Sequence, residues 1–125
     1  MDPLPASPAE LTALARTWLQ RFNARDLEGL LALYADDAVH TSPKLRERQP
    51  ETHGQVRGKA ALRQWWEGAF ARLPGLGYAE RAITAGGERV WLEYLRTVPG
   101  ERDLLVAELF IVRDGRIVES AVFHG

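Results

Sequence analysis

The chain has 125 residues, 46% hydrophobic and 26% charged, a size and balance expected of one domain spanning residues 1–125 around one core. With 16 basic and 17 acidic side chains the net charge is −1, so the basic excess that holds nucleic acid or an anionic membrane surface is missing, and neither is an expected partner. There is no cysteine, which excludes disulfides, thiolate metal ligands and cysteine nucleophiles and fits a cytoplasmic protein. No apolar run nears the roughly 20 residues of a membrane span, and MDPLPASPAE lacks the basic-then-apolar layout of a signal peptide.

Residues 1–6 read as a frayed lead-in, because Pro3 and Pro5 supply no backbone donor. Ser7-Pro8-Ala9-Glu10 then has the parts of a helix start: a cap, a proline at the first helical position and a capping-box glutamate. Leu11, Leu14, Ala15, Trp18, Leu19 and Phe22 mark one apolar helix face, and Asn23-Ala24-Arg25 ends it. Leu27, Leu30, Leu31 and Tyr34 keep helical spacing behind the cap residue Asp26, so a short second helix is expected. Asp36-Asp37 breaks that pattern and Val39-His40-Thr41 opens a strand.

Residues 43–57, PKLRERQPETHGQVR, are polar and interrupted by Pro43, Pro50 and Gly54, and read as a long loop. Its Lys44, Arg46, Arg48 and Arg57 are either solvated surface or a rim that draws an anionic group. A third helix is expected over Lys59–Leu73, with Leu62, Trp65, Trp66, Ala69 and Phe70 inward; of the adjacent tryptophans one is expected in the core and one flanking it. Four strands follow, Tyr78–Thr84, Arg89–Val98, Leu104–Arg113 and Arg116–His124. Turns at Gly86-Gly87, Pro99-Gly100 and Asp114-Gly115 separate them. The expected class is α+β, three helices on one face of a mixed, mostly antiparallel sheet.

Alternation along the strands sorts their side chains. His40 and Ser42 share a face. Glu108 is the one charge within Leu104–Val112, and burying a carboxylate there costs several kcal/mol unless it is hydrogen-bonded or protonated, which makes it a site candidate. Its plain alternative is an ion pair with Arg96 or Arg113. The opposite face, Leu105, Ala107, Leu109 and Ile111, is apolar too, as if covered by a second copy of the chain. His53 and His124 are weaker candidates, and the three histidines show no metal-ligand spacing, so neither metal nor cofactor is expected.

The segments NARDLEGLLALYADDAVH, GKAALRQWW and FIVRDGRIVESAVFHG resemble the SnoaL-like domains of the nuclear-transport-factor-2-like superfamily, to which ketosteroid isomerase belongs. That resemblance implies a cone-shaped α+β fold (a cystatin-like roll) with a curved sheet, an apolar cavity and frequent pairing of two copies through the sheet. It places Ser42 where the isomerases carry an aspartate base, Trp18 where they carry a tyrosine donor and Glu108 where they carry a protonated aspartate. The base is therefore missing, and His40 beside Ser42 is its replacement candidate. The expected ligand is a small, mostly apolar or carbonyl-bearing molecule. His40 and Glu108 are the catalytic candidates, and Trp18, Tyr34, Ser42, Trp65, Trp66, Tyr94 and Phe110 are candidates for the wall. A non-catalytic binding or dimerisation module, or a cone plugged by its own aromatic rings, is the alternative.

Overall fold

The structure, a computed structural model, describes residues 4–124. Helix α1 covers Pro8–Asn23 and starts as the sequence dictates: the Ser7 hydroxyl accepts from the Glu10 N–H, and the Glu10 carboxylate accepts from the Ser7 N–H. Helix α2 covers only Leu27–Leu31, capped by the Asp26 carboxylate on the Gly29 N–H at 2.9 Å. The helical spacing that includes Tyr34 overruns the helix. Tyr34 instead opens strand β1, Tyr34–Thr41, where it pairs with Ile117. The register shifts between Tyr34 and Val39, and this irregularity carries the Asp36-Asp37 pair at the surface, with Asp36 3.6 Å from Lys59.

The segment 43–57 is not a loop. Helix α3 covers Pro43–Arg48, a single 3₁₀ turn covers Pro50–Thr52, and strand β2 covers Gln55–Arg57. Ser42 caps α3, its hydroxyl accepting from the Lys44 N–H at 3.2 Å, with Pro43 at the first position where a missing N–H is harmless. Helix α4 covers Lys59–Arg72, and both Trp65 and Trp66 are buried, not one core and one flanking residue.

The remaining strands are β3 Gly77–Gly86, β4 Arg89–Thr97, β5 Leu104–Arg113 and β6 Arg116–His124. The β3–β4 turn falls on Gly87-Glu88, one residue later than the sequence reading, and the β5–β6 turn on Asp114-Gly115. All four turn residues have positive φ, as a two-residue hairpin that follows the sheet's twist requires. The sheet runs β2-β1-β6-β5-β4-β3, with β1 parallel to β6 and the other pairs antiparallel. Six strands and four α-helices among the described residues thus replace the expected five and three.

The core lies between α1, α2 and α4 and the concave face of the sheet. Leu11, Trp18, Leu30, Leu62, Leu92 and Phe110 are fully or almost fully buried in it. Trp18 stacks on Phe22 and tilts against Phe110, at ring separations of 5.3 and 5.2 Å, so an aromatic block ties α1 to the middle of the sheet.

Candidate functional site

The helices and the concave face leave a pocket of about 300 Å³, near the lower end of the roughly 300–1,000 Å³ common for small-molecule sites. Its wall is aromatic: Trp18 and Phe22 from α1, Trp65 and Trp66 from α4, and Tyr78 and Tyr94 from β3 and β4. The reading of a cone plugged by its own rings therefore does not describe this chain. The Tyr94 side of β4 is the inward one, since Val90, Leu92, Tyr94 and Arg96 are buried while Trp91, Glu93 and Leu95 are not.

Glu108 lies on this face at 1% exposure. Tyr94 donates its hydroxyl to Oε1 at 2.9 Å, and Oε2 has no hydrogen-bond partner among the described residues. Burial pushes the carboxyl up to about 8, against the opposing pull of the Tyr94 hydrogen bond. The two arginines that offered an ion pair are engaged elsewhere, Arg96 with Glu101 at 3.1 Å and Arg113 with Glu88 at 3.9 Å.

His40 is 3% exposed and is pushed down to about 4 by burial. Its Nδ1 lies 2.7 Å from the Ser120 hydroxyl, directly across the β1–β6 pair. Nδ1 is thereby occupied, and Nε2 has no partner among the described residues and is the ring nitrogen left for the pocket. The ring sits against Trp66, 5.9 Å between centroids. Register fixes how His40 and Glu108 relate. His40 pairs with Ser120, and Glu108 pairs with Val122, two residues along the same face of β6. The two groups thus stand two strand spacings across and two residues along the sheet from each other, about 12 Å between backbones, on one face.

The other candidates divide. Trp65, Trp66, Tyr94 and Ser42 line the pocket, and Ser42 is also the α3 cap. Trp18 presents its ring, but its indole N–H donates to the Tyr34 hydroxyl at 2.9 Å and is not offered to a ligand. Tyr34 and Phe110 are fully buried behind Trp18 and do not line the pocket. His53 is exposed on the turn before β2, away from the pocket, whereas the half-buried His124 does line it. Sequence reasoning missed Tyr78, Arg72 and Arg96. Arg96 carried a signal, since it alternates in step with Tyr94, but that strand's inward face was undetermined. No group of three or more His, Cys, Asp or Glu side chains able to hold a metal occurs among the described residues, and no described helix is long and apolar enough to cross a membrane.

The model of the SnoaL-like domain family matches residues 15–120. A SnoaL-like protein of unknown function from Burkholderia thailandensis is 28% identical, with a TM-score of 0.85 over 97% of this chain and 99% of that one. A candidate ketosteroid isomerase from Kribbella flavida is 22% identical, TM-score 0.77, over 94% of this chain and 79% of its own. TerC, co-crystallised with polyporic acid, is 21% identical, TM-score 0.79, over 93% and 92%. No curated protein matches the chain.

Proposed function

We propose that this chain, which belongs to the SnoaL-like domain family, binds a small, mostly apolar, carbonyl-bearing molecule in its aromatic pocket and moves a proton next to that carbonyl without a cofactor. The observation that carries the reading is Glu108, a buried carboxyl with one oxygen fixed by Tyr94 and the other unpaired. With its pKa near 8, about nine-tenths of Glu108 holds its proton at pH 7. Oε2–H is then a neutral donor for a carbonyl oxygen, on a side chain only 1% exposed, where a hydrogen bond counts for more.

His40 takes the role of base. Nε2 removes a proton from the carbon beside the carbonyl, the C–H electron pair becomes a new C=C bond, and the carbonyl oxygen takes on negative charge against Glu108. Where the substrate has a C=C at the β and γ carbons, the proton returns to the γ carbon as the oxygen's electron pair re-forms the carbonyl and the C=C moves to the α and β carbons, which completes an isomerisation; a ketone without that C=C only exchanges its α proton. A base of pKa near 4 is weak, but the burial that weakens it also keeps the imidazole neutral at pH 7. TerC, of the same fold, was co-crystallised with polyporic acid, which agrees with a small-molecule pocket.

The test is a panel of cyclic and aryl ketones, scored first for binding by calorimetry and then for isomerisation or proton exchange. His40→Ala and Glu108→Gln are each expected to lower turnover by about 100- to 10,000-fold while the fold persists. Turnover unchanged in both refutes the acid–base assignment. A second reading, binding without chemistry, draws on Ser42 and Trp18, whose polar groups are engaged in the α3 cap and the Tyr34 hydrogen bond. It predicts that the ketones bind and never react.

We also propose that two copies pair through the outer sheet face. There Leu105 and Phe123 are 45% and 51% exposed beside Trp91, Leu109 and Ile111, an apolar surface that a second copy would cover.

A further inference from the structure

Resting on the reading of the pocket as a small-molecule site, we propose that its ligand is a keto acid with a ring body, whose carboxylate is held at the pocket mouth by Arg48 and Arg72. The mouth is bounded by α3, the end of α4 and the ends of β4 and β6. Four cations stand there, Lys44, Arg48, Arg72 and Arg96, against two carboxylates, Glu47 and Glu101. The carboxylates are both engaged, Glu47 3.6 Å from Lys44 and Glu101 3.1 Å from Arg96. Arg48 and Arg72 have no carboxylate partner among the described residues.

These two arginines are the last residues of α3 and α4, so two separate elements deliver them to one rim. The Arg72 guanidinium lies 5.7 Å from the centroid of the Trp65 ring, so the exposed side chain is directed along the pocket wall. Partial burial lowers the Arg72 pKa, and the Arg48 charge adds to the effect, so the pair repel one another. His124 at the same rim is also pushed down, by burial and then by Lys44 and Arg96, with Glu47 opposing them more weakly. A chain of net charge −1 thus concentrates uncompensated positive charge around the opening of an apolar chamber. An anion between the two guanidiniums relieves their repulsion, and the planar fork of arginine matches a carboxylate. The ring body then occupies the aromatic wall, and the carbonyl reaches Glu108 at the floor.

Calorimetry with acetylnaphthoate and its neutral methyl ester separates the two readings. At low ionic strength the acid is expected to bind about tenfold more tightly than the ester, and the preference shrinks as salt is added. In the Arg48→Gln/Arg72→Gln double variant, whose exposed side chains leave the core untouched, the two probes are expected to bind alike while the ester keeps its wild-type affinity. Equal binding of acid and ester by the wild type, or a preference that survives in the double variant, overturns the anion site and leaves the pocket reading standing. Binding of neither probe overturns both.

Discussion

Raising the pH from 6.5 to 8 is expected to cost this protein about 2 kcal/mol of stability, and Glu108→Gln to abolish that loss. Glu108 is 1% exposed, and its pKa rises from the ordinary 4.5 to about 8 in the fold. Between those values the native state keeps a proton that the unfolded chain has released, so stability falls with rising pH at about 1.4 kcal/mol per pH unit. His40 acts in the opposite sense. Its pKa drops from 6.5 to about 4, so the unfolded chain binds the extra proton and stability falls as the pH drops through that window. From pH 4.5 to 6.5 the two slopes cancel. Above 6.5 only the Glu108 slope remains, and it runs on for about a pH unit and a half. The neighbours do not interfere, because burial and then the Glu108 charge push both Tyr34 and Tyr94 up, so neither titrates in the window. Urea unfolding followed by tryptophan fluorescence at pH 6.5 and pH 8 measures the difference. Glutamine keeps the shape and can still accept from Tyr94 but has no proton to lose, so the variant is expected to gain about 2 kcal/mol on the wild type between pH 6.5 and pH 8. The same loss in both proteins refutes the claim that Glu108 is buried as a neutral acid.

For a ketone that turns over, kcat/KM is expected to rise as the pH passes about 4 and to fall as it passes about 8, and the alkaline limb is expected to vanish in Glu108→Gln. Trp18→Phe keeps most of the aromatic packing but leaves the buried Tyr34 hydroxyl without its donor; denaturant unfolding is expected to show a loss of about 2 kcal/mol. Sedimentation is expected to show a dimer that Leu105→Lys with Phe123→Lys converts to a folded monomer, and a monomeric wild type sinks the pairing of sheets.

Much of the architecture could be read locally because local signals and tertiary demands agreed. Ser7-Pro8 announced α1, and Asp114-Gly115 fixed the register of the hairpin that brings β5 beside β6. Ser42-Pro43 is the same cap-and-proline signal as Ser7-Pro8, and it does start a helix. It was hidden because α3 is only six residues long and is followed at once by the Pro50 and Gly54 punctuation. Tyr34 shows the opposite failure. Its spacing suits a helix, but Ile117 of β6 donates its N–H to the Leu33 carbonyl and pairs with Tyr34, so long-range pairing overrides local periodicity. Glu108 stood out because an isolated charge in an apolar strand has no bland local explanation. Tyr78 and Arg72 join the site only when α1 and α4 close over the sheet, which no window of sequence reveals.

The differences from the isomerase pattern follow one logic. Of the three positions that the sequence resemblance sets against the isomerases' catalytic polar groups, Ser42 and Trp18 carry groups that hold the structure together. Ser42 caps the helix that forms part of the rim, and the Trp18 N–H pins Tyr34 beneath the wall. What remains facing the pocket is an acid that burial keeps protonated and an imidazole that burial keeps unprotonated, shifted in opposite directions by the same exclusion of water. Near pH 7 the chamber therefore holds a proton donor and a proton acceptor but no formal charge on either. A resting carboxylate base would have to be desolvated in such a chamber at a cost of several kcal/mol, whereas a neutral pair develops charge only as the proton moves, against groups already in place. The formal charge stands at the rim instead, where solvent supports it and where an incoming anion meets it first.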